Sequence, residues 1–206
     1  MAETTRERIL GGTLEFITTS PPRDLDMEDL AAWIGISRKT IYNHFPGKTD
    51  LLEQAVTMGS NHIVHTLRRI ADDHKRTFVE RLDRIIEEGF RESHRLLAST
   101  AVPPGIMGTT VRTVEGHILD LIRRLVHEGI DDGLLSPELD REIFSHVIFS
   151  QITGALQRDH PDSLPCSPLQ LLRESIRICL VGSLTTAGHD ALQSIELFQP
   201  ITKEVS

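Results

Sequence analysis

Cysteine, basic excess and long apolar runs are all scarce in this 206-residue chain, and each scarcity removes a class of protein. Two cysteines, Cys166 and Cys179, are too few for a disulfide framework, and their spacing fits no zinc pattern, so both read as reduced core thiols. No apolar run approaches the ~20 residues of a membrane span, and the N-terminus lacks the apolar stretch of a signal peptide. A cytoplasmic protein is expected. The formal net charge of −8 excludes a chain that coats nucleic acid through its overall field, leaving only a local basic patch for that purpose. Enzyme signatures are missing too: there is no Gly-x-Ser-x-Gly, no His-Glu-x-x-His, no glycine-rich phosphate loop and no dinucleotide fingerprint. Repeats and low-complexity tracts are absent.

Period-2 alternation never persists, whereas apolar spacings of three and four recur throughout, which makes this an all-α chain of about nine helices. A first helix is expected over about Thr5–Thr18, with Ile9, Leu10, Leu14 and Ile17 inward, ended by Pro21-Pro22. A second starts near Asp26, whose carboxylate can cap the free amides ahead of Leu30 and Ile34, and Ser37 caps a third that Pro46-Gly47 closes. A long helix then runs from Lys48 to about Asp73, with Leu52, Ala55, Val56, Gly59, Ile63, Leu67 and Ile70 on one stripe. Helices over about Arg76–Ala98, Val111–Asp132, Glu138–Asp159 and Pro168–Ala187 follow. They are separated by the Val102-Pro103-Pro104-Gly105 loop, by Asp132-Gly133 with Ser136-Pro137, and by 160–168. The tail after Gly188 reads as loose, with Ile195, Leu197 and Phe198 available to dock it.

What the chain does have is concentrated between Leu30 and Lys48: a helix, a glycine-marked tight turn at Gly35, and a second helix with a basic and polar outer face. From Trp33 to Thr49 there are Arg38, Lys39 and Lys48 and no acid. Ile41 and Phe45, four apart, point one way and should pack against Leu30, Ile34 and Ile36. Ser37, Arg38, Lys39, Thr40, Tyr42, Asn43 and His44 are left outward or sideways. Arginine and lysine can meet guanine edges or phosphates, asparagine can read adenine, and hydroxyls can grip phosphate oxygens. Lys48 lies in the first turn of the next helix, where free amides favour a phosphate. Two short helices around a glycine inside any helical bundle, with solvated charges outside, remain the plainer alternative.

The run Ile41-Tyr42-Asn43-His44-Phe45-Pro46-Gly47-Lys48-Thr49-Asp50-Leu51-Leu52, preceded by Leu30-Ala31 and Gly35-Ile36-Ser37, resembles the DNA-binding domain of the TetR family over about Ile9–Val56. The resemblance implies a domain at 1–47 that reads DNA and a second at 48–206 for effector binding and dimerisation. It implies a homodimer on a palindromic double-stranded DNA operator, with Lys39, Thr40 and Asn43 facing bases and Tyr42 and Lys48 holding phosphates. Two positions depart from the pattern. Asp26 stands where the family often has a phosphate-contacting threonine, and Ile34, beside Trp33, where it often has a small alanine. The first cancels a phosphate contact; the second should open the helix packing slightly. Trp33 itself is expected to pack on a neighbouring helix rather than touch DNA.

For the second half, apolar stripes at Phe144, Val147, Ile148, Gln151, Ile152 and Ala155, and at Leu169, Leu172, Ile176, Leu180 and Leu184, suit a four-helix bundle across a dimer axis. Packing within one subunit is the alternative. An effector pocket is expected to draw on Met58, His62, Phe90, His94, Met107, His117, Phe144 and Gln151, a mixture of adaptable apolar and polar groups. Gly59 marks a close helix crossing or a point of flexure. No cofactor is implied. The expected function is that of a ligand-responsive transcriptional regulator, a repressor released by a small molecule. The rivals are a helical metal sensor using His62 and His65 with His94 or His117, and a helical adaptor or enzyme that binds no operator.

Overall fold

The computed structural model describes residues 4–19, 25–156 and 166–192, and in these it is all-helical: α1 (Thr5–Thr19), α2 (Met27–Ile34), α3 (Arg38–His44), α4 (Lys48–Ala71), α5 (Phe78–Leu97), α6 (Pro104–Asp131), α7 (Arg141–Leu156), α8 (Pro168–Val181) and α9 (Thr186–Leu192). Among the described residues the extended structure is limited to an isolated bridge between Leu135 and Leu184. Two compact units divide the chain. One holds the described residues up to His65 together with Arg91–Gly116; the other holds Thr66–Phe90 and the described residues from His117 onward. None of the described helices is long and apolar enough to cross a membrane.

In the first unit the core is built from α1 and the two short helices after it. Ile9, Ile17, Leu30 and Ile41 are fully buried, and Phe45, Leu51, Leu52, Ala55 and Val56 join them. Leu14, expected inward, is only half-buried, yet it sits where α1 crosses α4: a Cβ added at Gly59 would lie 2.9 Å from its Cδ1. Gly59 therefore serves close helix approach. The proline pair expected to end α1 lies outside the described residues.

In the second unit Leu125, Leu135, Leu172 and Ile176 form the most deeply buried set. Arg81 is buried too, and its guanidinium donates to the Ala71 carbonyl at 2.6 Å and pairs with Glu128 at 2.8 Å. One side chain thus satisfies a free carbonyl at the end of α4 and neutralises a carboxylate of α6. α7 packs on α8. The stripe Phe144, Ile148, Ile152 and Ala155 faces inward, as do Leu172, Ile176 and Leu180. Within this chain those residues pack inside the unit, and the apolar groups left outside are their helical neighbours. Ile143 (65% exposed) and Val147 stand on α7, with Ile178 (61%) and Val181 on α8.

Several helix limits differ from the sequence expectation, each for a local reason. α6 begins at Pro104 instead of Val111, because proline at a first helical position gives up no hydrogen bond, so the 102–105 loop is shorter than it looked. α5 begins at Phe78, fixed by Thr77, whose hydroxyl accepts from the Glu80 amide while the Glu80 carboxylate accepts from the Thr77 amide. Those bonds hold the Glu80 carboxyl below its ordinary pKa, the backbone amide of Thr77 contributing most. α7 begins at Arg141, since Asp140 caps the Ile143 amide at 2.9 Å. The single helix expected over Pro168–Ala187 is broken at Gly182. There the backbone turns to pair with residues 134–136: the Ser136 amide donates to the Ser183 carbonyl at 2.8 Å and the Thr185 amide to the Leu134 carbonyl at 3.0 Å. Non-local pairing wins over helical continuity at that point. The expected end of α7 at Asp159 and the docking residues Ile195, Leu197 and Phe198 lie outside the described residues.

Candidate nucleic-acid interface

The geometry of α2 and α3 is set by two caps and a glycine. Asp26 accepts from the amides of Glu28 at 2.6 Å and Asp29 at 3.2 Å and so starts α2. Gly35 stops it: at φ 74° and ψ 40° its amide bonds back to the carbonyls of Ala31 and Ala32, a left-handed conformation that a side chain disfavours. Two residues later Ser37 opens α3, its hydroxyl accepting from the Thr40 amide at 3.1 Å. Phe45 leaves the helix at φ −134° and ψ 125°, the extended region that the following Pro46 imposes on its predecessor.

With Ile41 and Phe45 fully inside, the polar side of α3 is forced outward. Ser37, Arg38, Lys39, Asn43 and His44 are exposed, Tyr42 is 41% exposed, and Thr40 and Lys48 are half-buried. Ile34 and Ile36, expected to pack against Ile41 and Phe45, are half-buried. The helix is therefore anchored by its two apolar residues and presents the other side to solvent. Arg38 is held from two sides. Its guanidinium lies 5.5 Å from the Tyr42 ring centroid and 3.3 Å from the Glu28 carboxylate. A hydrogen bond with Tyr42 first, and the Glu28 carboxylate second, push its pKa up from an already high value.

The two departures noted in the sequence behave differently. Asp26 is occupied as a helix cap, and its charge stands at the start of α2. Ile34 does not open the packing, because Gly12 of α1 lies opposite it: a Cβ there would meet Ile34 Cγ1 at 2.7 Å. Space given up on one helix is recovered on the other. Trp33 packs edge-on against Phe16 of α1, ring centroids 5.5 Å apart, while staying 46% exposed.

Two basic residues of α1 reach the elements around α3. Arg6 lies over the Phe45 ring at 5.2 Å and bonds to Gln54, and Arg8 donates to the Ile34 carbonyl at 3.4 Å. Two arginines ahead of an apolar run are visible in the sequence. Their partners, 26 to 48 residues away, are not.

The eight residues expected at an effector pocket fall four and four into the two units. In the first, Met107 is buried and His94 exposed; Met58 lines an open hollow with Arg6, Asp50 and Gln54, whereas His62 lines a separate cleft of about 320 Å³ with Leu14, Gly59, Glu92 and Arg95. In the second, Phe90 and Phe144 are buried, Gln151 is half-buried, and His117 Nδ1 stands 3.2 Å from the Arg68 guanidinium. No group of three metal-ligating side chains occurs among the described residues.

Residues 9–55 match the model of a family described as bacterial regulatory proteins, tetR family. Nucleoid occlusion factor SlmA of Idiomarina loihiensis is 29% identical over 122 residues, a stretch that spans 58% of this chain and 61% of that protein. A TetR-family transcriptional regulator from Marinobacter aquaeolei VT8 superposes with a TM-score of 0.64 at 23% identity, covering 91% of this chain and 95% of that one. The transcriptional regulator FadR from Bacillus subtilis, solved in complex with stearoyl-CoA, superposes at 0.61 and 17% identity, covering 85% and 97%. At these identities the superpositions speak for the fold.

Proposed function

We propose that this chain, whose residues 9–55 match the tetR family of bacterial regulatory proteins, is a DNA-binding regulator that binds a palindromic operator as a homodimer and is released by a small molecule. The observation that carries this reading is α3 itself, whose Ile41 and Phe45 are sealed in the core while Arg38, Lys39, Asn43 and His44 face solvent. Lys39, Thr40 and Asn43 read base edges; Tyr42 and Lys48 hold phosphates, with Ser37, Arg38 and His44 at the margin of the contact. The exposed pairs Ile143 and Val147, Ile178 and Val181 form the subunit contact, an apolar patch of the kind that marks a partner surface.

Functionally the division falls at 47/48, with DNA reading before it and sensing and pairing after it, in a cytoplasmic protein that needs no cofactor. Control operates as a population shift: an effector that prefers the DNA-incompetent arrangement of the dimer lowers operator affinity by the ratio of its affinities for the two states. α4, about 36 Å long at 1.5 Å per residue, is the continuous element that starts beside α3 and ends in the second unit. A long-chain acyl-CoA is the first effector to test, since FadR of the same fold was solved with one.

Selection from random duplex DNA with the purified protein tests the reading. Enrichment of a palindrome supports it, and recovery of no sequence above background refutes it in favour of a helical adaptor. The name of the relative from Idiomarina loihiensis supports a second reading, a nucleoid occlusion factor. Operator binding indifferent to every small molecule tried favours that one.

A further inference from the structure

We infer that Glu28 is a brake on DNA affinity: its carboxylate holds the Arg38 guanidinium against the Tyr42 ring until a duplex phosphate displaces it. The inference rests on the DNA-binding role proposed above. Arg38 opens α3 and Glu28 lies in the first turn of α2, so the pair spans the two helices of the reader at 3.3 Å. Both partners are open to solvent, 54% and 77% exposed, which makes the pair weak as a fold contact and easy to exchange. A phosphate presents a guanidinium with the same geometry of two anionic oxygens as a carboxylate does. Glu28 therefore occupies in the free protein the kind of partner that DNA would supply. Its acidic neighbour Asp26 is committed to the amides of α2, and Lys39 beside Arg38 has no ion-pair partner among the described residues.

The consequence is a particular dependence on salt. A free arginine that meets a phosphate releases close to one cation condensed on the duplex, whereas salt also screens the Arg38–Glu28 pair that must be given up and so offsets part of that dependence. Glu28 thus weakens binding to any duplex and flattens its salt dependence. It is a positioning residue, acting through Arg38.

The test uses the full chain, the operator recovered by selection and a random duplex, titrated over a series of KCl concentrations. Glu28→Gln should tighten binding to both duplexes roughly two- to fivefold and steepen the slope of log K against log salt. In an Arg38→Ala background the same substitution should change affinity less than about twofold and leave the slope alone. An unfolding midpoint matching the parent's, followed by Trp33 fluorescence, assigns the change to the contact and not to the fold. Unchanged affinity and slope in Glu28→Gln, or an equal gain in the Arg38→Ala background, overturns the brake. A parent protein that binds neither duplex overturns instead the DNA-binding role.

Discussion

Gly12 and Ile34 should be coupled like two halves of one packing unit. Alanine at position 12 removes a helix-interior glycine from α1, a change that by propensity alone stabilises by about 1 kcal/mol. Its methyl would lie 2.7 Å from Ile34 Cγ1 and 3.3 Å from Cδ1. Ile34 cannot swing away cheaply, since a β-branched side chain in a helix has one strongly preferred rotamer. Overpacking of this kind costs about 1–3 kcal/mol, so Gly12→Ala should leave the protein between about 0 and 2 kcal/mol less stable. With Ile34→Ala in place the obstacle is gone, and the same substitution should stabilise by about 1 kcal/mol. The double-mutant cycle then isolates the clash as a coupling of about 1–3 kcal/mol. Urea unfolding followed by the single tryptophan, Trp33, reports on this spot directly, because Trp33 adjoins Ile34 and packs edge-on against Phe16 of α1. A stabilising Gly12→Ala in the parent, with coupling near zero, would refute the reasoning.

Tyr42→Ala should weaken binding to selected and random duplexes alike, while Asn43→Ala should mainly relax discrimination, by roughly 1–3 kcal/mol at the base it reads. Equal losses for both variants on both duplexes in a fluorescence-anisotropy titration would remove that assignment. Arg81→Met strands the Ala71 carbonyl and a partly exposed Glu128, and should cost about 2–3 kcal/mol by urea unfolding. Adding Glu128→Leu should recover most of the loss, and a further fall would contradict the pairing. Ile143→Glu with Ile178→Glu replaces two apolar side chains that are 65% and 61% exposed in the single chain, a loss of about 1–2 kcal/mol each on pairing, and should shift sedimentation from dimer to monomer. An unchanged sedimentation profile would place the subunit contact elsewhere.

Local chemistry determined a good part of this molecule. Asp26, Gly35, Ser37 and the Phe45-Pro46 step set where α2 and α3 start and stop, since a cap, a left-handed glycine and a residue before proline each act over two to four residues. The Tyr42-to-Leu52 run carried the resemblance to the tetR family, and the period of three and four carried the all-helical class. Tertiary structure decided what depends on residues far apart in the chain. It broke the expected last long helix at Gly182, where pairing with residues 134–136 competes for the backbone. It turned the inner stripes of α7 and α8 toward their own unit and left Ile143 and Ile178 outside, one and two positions from the nearest buried residue on a helix whose turn is 3.6 residues. It matched Gly12 to Ile34, gave Arg6 and Arg8 partners on other helices, and set Glu28 against Arg38. Period and capping are properties of neighbours along the chain, whereas a fitted contact exists only once two segments have met.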